Sequence, residues 1–140
     1  MSAPARIGWE CHAQLRIFGF DGSPDAVSTI LGIRPSRSWL AGDPNIKGPL
    51  RRQSGWVLKS GLALSDDPSQ QVRWLLDRVV SKMKGLTALG EGWSATVLCA
   101  IYLTSSTPPL YFEPSLLRAI TELPAALDID LYLLPREAEQ

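Results

Sequence analysis

Between Arg34 and Lys59 six cations, Arg34, Arg37, Lys47, Arg51, Arg52 and Lys59, stand against a single acid, Asp43, giving a local charge of +5. Trp39 and Trp56 bracket the loop that carries most of them. Arg and Trp are residue types in which interface energy concentrates, so this grouping suits a protein-binding face. Arg51 and Arg52 beside Gly48 could instead hold a phosphate or a nucleic-acid backbone through charge-assisted hydrogen bonds. A plainer reading is a set of solvated loop charges, where exposed pairs contribute about 0 to 1 kcal/mol each. The Gly-Lys-Ser ending of a phosphate loop is missing from the sequence, so the phosphate reading ranks last.

Other residues with chemical potential are sparser. Asp128 and Asp130 share one face of a predicted strand, about 7 Å apart by the strand rise. Such a pair could bind a divalent cation or share acid-base work, but two carboxylates supply too few ligands for a specific site. A solvated face, or a pair with a neighbouring Arg, accounts for them, and Tyr132 on the same face reads as a half-buried sheet residue. Cys11 next to His12 would be a nucleophile-base pair only if both side chains met, and adjacent strand residues point to opposite faces. Two separated cysteines and one histidine do not make a zinc site; Cys11 and Cys99 read as buried, reduced thiols. The four hydroxyls of Thr104-Ser105-Ser106-Thr107 form a polar turn with no second histidine to activate them. In Gly42-Asp43-Pro44 a turn is favoured, with Gly42 at positive φ and Asp43 bonding nearby backbone. Trp39 itself reads first as a core residue and second as a recognition platform. No catalytic residue, metal ligand set or cofactor is therefore expected.

The elements that must position these residues follow from pattern. Cys11, Ala13, Leu15 and Ile17 alternate with His12, Gln14, Arg16 and Phe18, the period of a half-buried strand. Ser23 then caps a helix that Pro24 opens, with Asp25 at its positive end; Val27, Ile30 and Leu31 form the apolar stripe, and Gly32 stops it. Extended structure is expected from Ser36 to Leu40, an irregular loop from Gly42 to Ser54, and a strand through Trp56, Val57 and Leu58. Asp67 and Pro68 open the longest helix, in which Val72, Leu75, Leu76, Val79, Val80 and Met83 share a face, Trp74 flanks it, and Gly85 ends it. Trp93 to Leu103 is apolar on both alternations and reads as a central strand. Leu110 to Phe112 is a short extended piece, a third helix carries Leu116, Leu117, Ile120 and Leu123, and Asp128 to Leu134 is the last strand.

With 140 residues and 45% apolar content, the chain suits one domain spanning 1–140, with flexible termini at 1–9 and 136–140. The 14 basic residues balance the 14 acidic ones, which disfavours a general nucleic-acid binder. The balance hides polarity: from Glu113 onward Glu113, Glu122, Asp128, Asp130, Glu137 and Glu139 outweigh Arg118 and Arg136 by four charges. The opening residues lack the apolar run of a secretory signal and no stretch approaches about 20 apolar residues, so a soluble, cytoplasmic protein without membrane contact is expected. The fold class is α+β: a mainly antiparallel sheet of about six strands with three helices on one face. A weak strand-helix-strand echo between the first half and the last third is consistent with internal duplication.

The strand around Leu15 to Phe18, Pro24 through Leu31-Gly32-Ile33 and Pro35, Trp39 with Gly42-Asp43, Trp56 with Ser60, and Leu127 to Tyr132 together resemble a family of small bacterial domains of unknown function, family 4279. The resemblance implies a domain of about this length with no activity, cofactor or catalytic residue to carry over. Small families of this kind include immunity and accessory proteins beside toxins, an analogy at the level of class. The functional expectation is thus a non-catalytic protein-interaction module, of immunity or accessory type, with a protein partner at Arg34, Arg37, Trp39, Lys47, Arg51, Arg52 and Trp56. The alternative is a domain that binds a small anionic ligand, or acts on one, at the basic loop 34–59.

Overall fold

The computed structural model describes residues 8–135. Five strands and three α-helices follow one another as β1 (Trp9–Phe18), α1 (Pro24–Leu31), β2 (Arg37–Trp39), β3 (Gly55–Lys59), α2 (Pro68–Val79), β4 (Ser94–Leu103), α3 (Pro114–Glu122) and β5 (Ala126–Leu133). A 3-10 segment, Val80–Leu89, continues α2. Residues 1–7 and 136–140, most of the expected flexible ends, lie outside the described residues, whereas Trp9 heads β1 and is buried.

The strands form one sheet in the order β2-β3-β1-β4-β5. Three neighbouring pairs are antiparallel and the last, β4 with β5, is parallel, so the sheet is mixed. The expected sixth strand is absent: residues 110–112 form no strand. Both edges of β4 are filled, by β1 and β5, and Pro108, Pro109 and Pro114 remove backbone donors around the segment. Because β4 and β5 run parallel, the chain must cross back over one face between them, and α3 makes that crossing.

Alternation along the strands separates the two faces. Cys11, Ala13, Leu15 and Ile17 of β1 stand beside Trp56 and Leu58 of β3 and Val97, Cys99 and Ile101 of β4 by register. These side chains join Val27 and Leu31 of α1, Val72, Leu75, Leu76 and Val79 of α2, and Leu116 and Ile120 of α3 in one hydrophobic core. The helices therefore lie on this face. Leu98 and Ala100, on the opposite face of β4, are only half-buried, because no helix covers them. On β5, Leu127 and Ile129 pack against the core but Leu131 and Leu133 stay exposed, at 55% and 83%.

Local chemistry explains the helix ends. Ser23 Oγ accepts from Asp25 N at 3.1 Å, and Gly32 takes the left-handed conformation at φ 69° with its N–H bonded to Ser28 O. At α2 the Asp67 N–H donates to Gln70 Oε1 at 3.2 Å beside Pro68 in the first turn. Gly85 does not end the helical path, which runs on as 3-10 to Leu89. Its missing side chain serves the approach of α1 instead: a Cβ there would come within 2.8 Å of Ile30 Cγ2.

Candidate functional site

The helix-free face of the sheet carries the even-numbered residues of β1 and β4 with their neighbours in register. Across it run Trp39, Gly55, Phe18 and Ser94 in one row, then Arg37, Val57, Arg16 and Thr96 in the next. Further along lie Lys59, Gln14, Leu98 and Asp128, then His12, Ala100 and Asp130, and finally Glu10, Tyr102 and Tyr132. Basic groups thus gather toward β2 and acidic ones on the β5 edge.

Gly55 makes the basic end possible. Trp39 and Phe18 sit two strands apart, about 10 Å between backbones, yet their ring centroids are 5.8 Å apart. The space above Gly55 admits the Trp39 indole, and a Cβ at Gly55 would run into that ring. The indole is anchored by its Nε1–H, which donates to Gln53 O at 3.0 Å. On this aromatic pair lie three guanidinium groups: Arg51 at 4.0 Å and Arg37 at 5.2 Å from the Trp39 ring, and Arg16 at 4.8 Å from Phe18. Each such stack is worth about 0.5 to 1 kcal/mol near solvent and holds the planar group flat.

The loop that brings Arg51 over Trp39 is irregular, yet it is tied at several points. Gly42 adopts φ 92° and Asp43 Oδ2 accepts from Leu40 N at 2.8 Å, the turn that Gly42-Asp43-Pro44 predicts. Gly42 N donates to Arg51 O at 2.8 Å and Arg51 N to Asp43 O at 2.9 Å, closing the arms of the loop. Ser54 Oγ accepts from Ala41 N at 3.2 Å, and Asn45 bridges Gly48 at the tip. Between this loop and β1 is a cleft of about 300 Å³ lined by Arg16, Phe18, Trp39, Leu50, Arg51 and Arg52 among others. The Nε atoms of Arg16 and Arg51 are removed from solvent with no hydrogen-bond partner among the described residues. Burial first, and then the Arg37 charge, lower the pKa of the Arg16 guanidinium, while Asp128 and Asp130 act in the opposite sense.

Of the residues expected at this site, the fold brings together Arg37, Trp39, Arg51 and Arg52. Lys47 is exposed at the loop tip, and Arg34 is exposed on the α1–β2 connection, neither lining the cleft. Trp56 is separated from the group: it lies on the helix side with none of its surface exposed, its Nε1–H donating to Ser28 Oγ at 3.0 Å, so it ties β3 to α1 and cannot touch a partner. Arg16 and Phe18 complete the site without having been singled out from sequence. Their signal was present in the alternation of β1, whose even positions cannot face the core.

At the opposite end His12 Nε2 lies 3.3 Å from Glu10 Oε1, and the His12 ring meets Tyr102 edge-on at 5.2 Å. Tyr102 stacks on Tyr132 at 4.9 Å, and Tyr132 Oη donates to Asp130 Oδ2 at 3.3 Å. A hydrogen bond with Asp130 raises the Asp128 carboxyl above the usual range, with desolvation and the Asp130 charge adding to it. The Asp130 charge likewise raises Tyr132. Cys11 faces the core and His12 the open side, so the sheet separates them. Cys11 and Cys99 are free, buried and diagonal neighbours across β1 and β4; the hydrogen bond between them, then burial, pushes the Cys11 thiol up. Among the described residues no three His, Cys, Asp or Glu side chains gather as a metal site, and no helix is long and apolar enough to cross a membrane.

A family model, Domain of unknown function (DUF4279), matches residues 9–134, a span holding every strand and helix described above. No curated protein and no solved structure matches the chain.

Proposed function

Because the chain belongs to the DUF4279 family, whose description names no activity, we propose its function from the open face: a non-catalytic module that binds a protein partner at the loop between β2 and β3. The observation that carries this reading is the placement of large apolar side chains in water beside the stacked arginines. Ile46 is fully exposed, at 101%, Leu50 is exposed at 62% and Leu40 at 44%, all on the loop that holds Arg51 over Trp39. Exposed apolar side chains on the same loop as Arg and beside Trp39 suit an interface, whose core is apolar and enriched in Arg and Trp. The hydrogen bonds that close the loop fix it before binding, which reduces the ordering cost of association. The local positive charge steers an acidic partner toward the face and favours a fast encounter. An immunity or accessory protein beside a bacterial toxin, acting in the cytoplasm, is the concrete form of this function.

Affinity capture from extract of the native cell tests it, with the wild-type chain, Arg51→Ala/Arg52→Ala, Ile46→Ser/Leu50→Ser and, as a control on the exposed surface of α2 on the other face of the sheet, Asp77→Asn. One partner retained by the wild type and the control, and lost by both loop variants, is the expected result. Equal capture by all four proteins sinks the proposal.

A further inference from the structure

The cleft beneath the loop has a chemistry narrower than positive charge. Arg16 and Arg51 both line it, and neither forms an ion pair among the described residues. The guanidinium planes are set by Phe18 and Trp39, at 4.8 and 4.0 Å, so their donor edges are oriented before anything binds. Their Nε atoms are covered, so an incoming oxygen would be met by the terminal Nη groups of the two forks. The remaining walls are mixed: the two rings, Pro49 and Leu50 are apolar, and Asn45, Arg52 and Gln53 are polar. About 300 Å³ is the lower end of the size range of ligand pockets and accommodates a body about as large as one aromatic ring.

We propose that this cleft binds a carboxylate carried on an apolar or aromatic body, with Arg16 and Arg51 taking the carboxylate and Phe18, Trp39 and Leu50 enclosing the body. A planar two-oxygen group matches the guanidinium fork. Free phosphate is disfavoured because it carries no apolar body and would leave Phe18, Trp39 and Leu50 without a contact. The same chemistry has two sources, a free small acid or the chain end of a protein. The second deepens the partner-binding reading of this face and rests on it; the first does not.

Arginine Nε–H signals in the nuclear magnetic resonance spectrum of the nitrogen-15-labelled protein give the test. Benzoate and N-acetylphenylalanine are the probes; benzyl alcohol and inorganic phosphate are the controls. Saturable movement of the Arg16 and Arg51 signals with at least one carboxylate is expected, with no saturation by benzyl alcohol and a weaker response to phosphate. Arg16→Gln and Arg51→Gln should each weaken binding about tenfold, the loss of one charge-assisted hydrogen bond. Arg51→Lys should weaken it comparably, since it keeps the charge and loses the fork, and unchanged backbone amide spectra verify that the variants fold. Tighter binding of N-acetylphenylalanine assigns the carboxylate to a protein chain end, and tighter binding of benzoate assigns it to a free acid. The site is overturned if neither carboxylate saturates, if phosphate binds as well as they do, or if the Gln variants bind like the wild type. The titration requires no protein partner, so a silent titration leaves the capture experiment standing, and failed capture leaves the carboxylate site standing.

Discussion

Replacing Gln71 by leucine should destabilise the protein by about 3 to 4 kcal/mol, although Gln71 lies far from the basic loop. Strand β3 pairs with β1 only from Gln14 to Phe18, which leaves the first half of that β1 edge without a strand. Gln71, 1% exposed on α2, fills the gap. Its Oε1 accepts from Ala13 N at 3.2 Å, and the two hydrogens of its Nε2 are shared among Cys11 O at 2.9 Å, Asp66 O at 3.0 Å and Ala63 O at 3.2 Å. With Cys11 N donating to Leu64 O and Ser60 N to Ala13 O, both at 2.9 Å, this amide completes the β1 edge and pins the segment before α2. Leucine fills a similar volume but offers neither donor nor acceptor. The Ala13 N–H and the Cys11 carbonyl would be stranded in the core, each costing about 1 to 3 kcal/mol, while the two less buried carbonyls can recruit water. Urea unfolding followed by tryptophan fluorescence measures the loss, with Gln71→Glu as the companion. Glutamate keeps the acceptor for Ala13 but turns a charge toward three carbonyls, so it should be the worse variant at neutral pH and recover as the medium is acidified. A Gln71→Leu loss below about 1 kcal/mol would refute the assignment, because it would mean that these backbone groups find other partners.

Gly55→Ala should dislodge the Trp39 indole while leaving the core intact, since the added Cβ meets that ring and not the helix side. The check is a shift of indole fluorescence and loss of carboxylate binding, with stability lowered by only about 1 to 2 kcal/mol. For the acidic edge, the Asp128 carboxyl should titrate above the ordinary aspartate range in a carbon-13 spectrum and fall back toward it in Asp130→Asn. The sign of the stability effect follows: with its folded-state pKa raised, Asp128 favours the fold below its unfolded pKa, and this contribution is lost as pH rises through the folded value. Asp130→Asn should therefore gain on the wild type as pH climbs through that window, and a constant difference across it would count against the coupling.

Much of the fold could be read from sequence because its signals are local. Ser23-Pro24 and Gly32 bound α1 by satisfying or relaxing backbone groups within one turn, and the alternation of β1 assigns its faces unaided. What failed to show depends on partners distant in the chain. Gly85 has the residue type of a helix stop, but the proximity of Ile30 decides its role. The extended look of residues 110–112 meant nothing once β4 had both edges occupied. The parallel addition of β5 is set by the crossing of α3, which no strand pattern encodes. For the site, charge counting located the loop, and Arg37, Trp39, Arg51 and Arg52 did converge. Trp56 misled because a tryptophan in a strand has the same type whichever face it takes; only the register with Ile17 places it in the core. Arg16 was hidden among ordinary solvent-face residues until β2 and the loop folded over it.

The placement of Arg16 ties the two ends of the face into one electrostatic system. It lies in β1, with Arg37 two strands away on one side and Asp128 and Asp130 two strands away on the other. Burial, and then Arg37, weaken its hold on a proton, whereas the two aspartates strengthen it. An anion entering the cleft would relieve the repulsion between Arg16 and Arg37 and at the same time feel the field of the β5 edge. That arrangement grades the potential across the sheet. A partner lying over the whole face would accordingly need acidic groups opposite β2 and the loop and basic or neutral groups opposite β5. Strand order would thus set the orientation of such a partner, since reversing it would place like charges together at both ends.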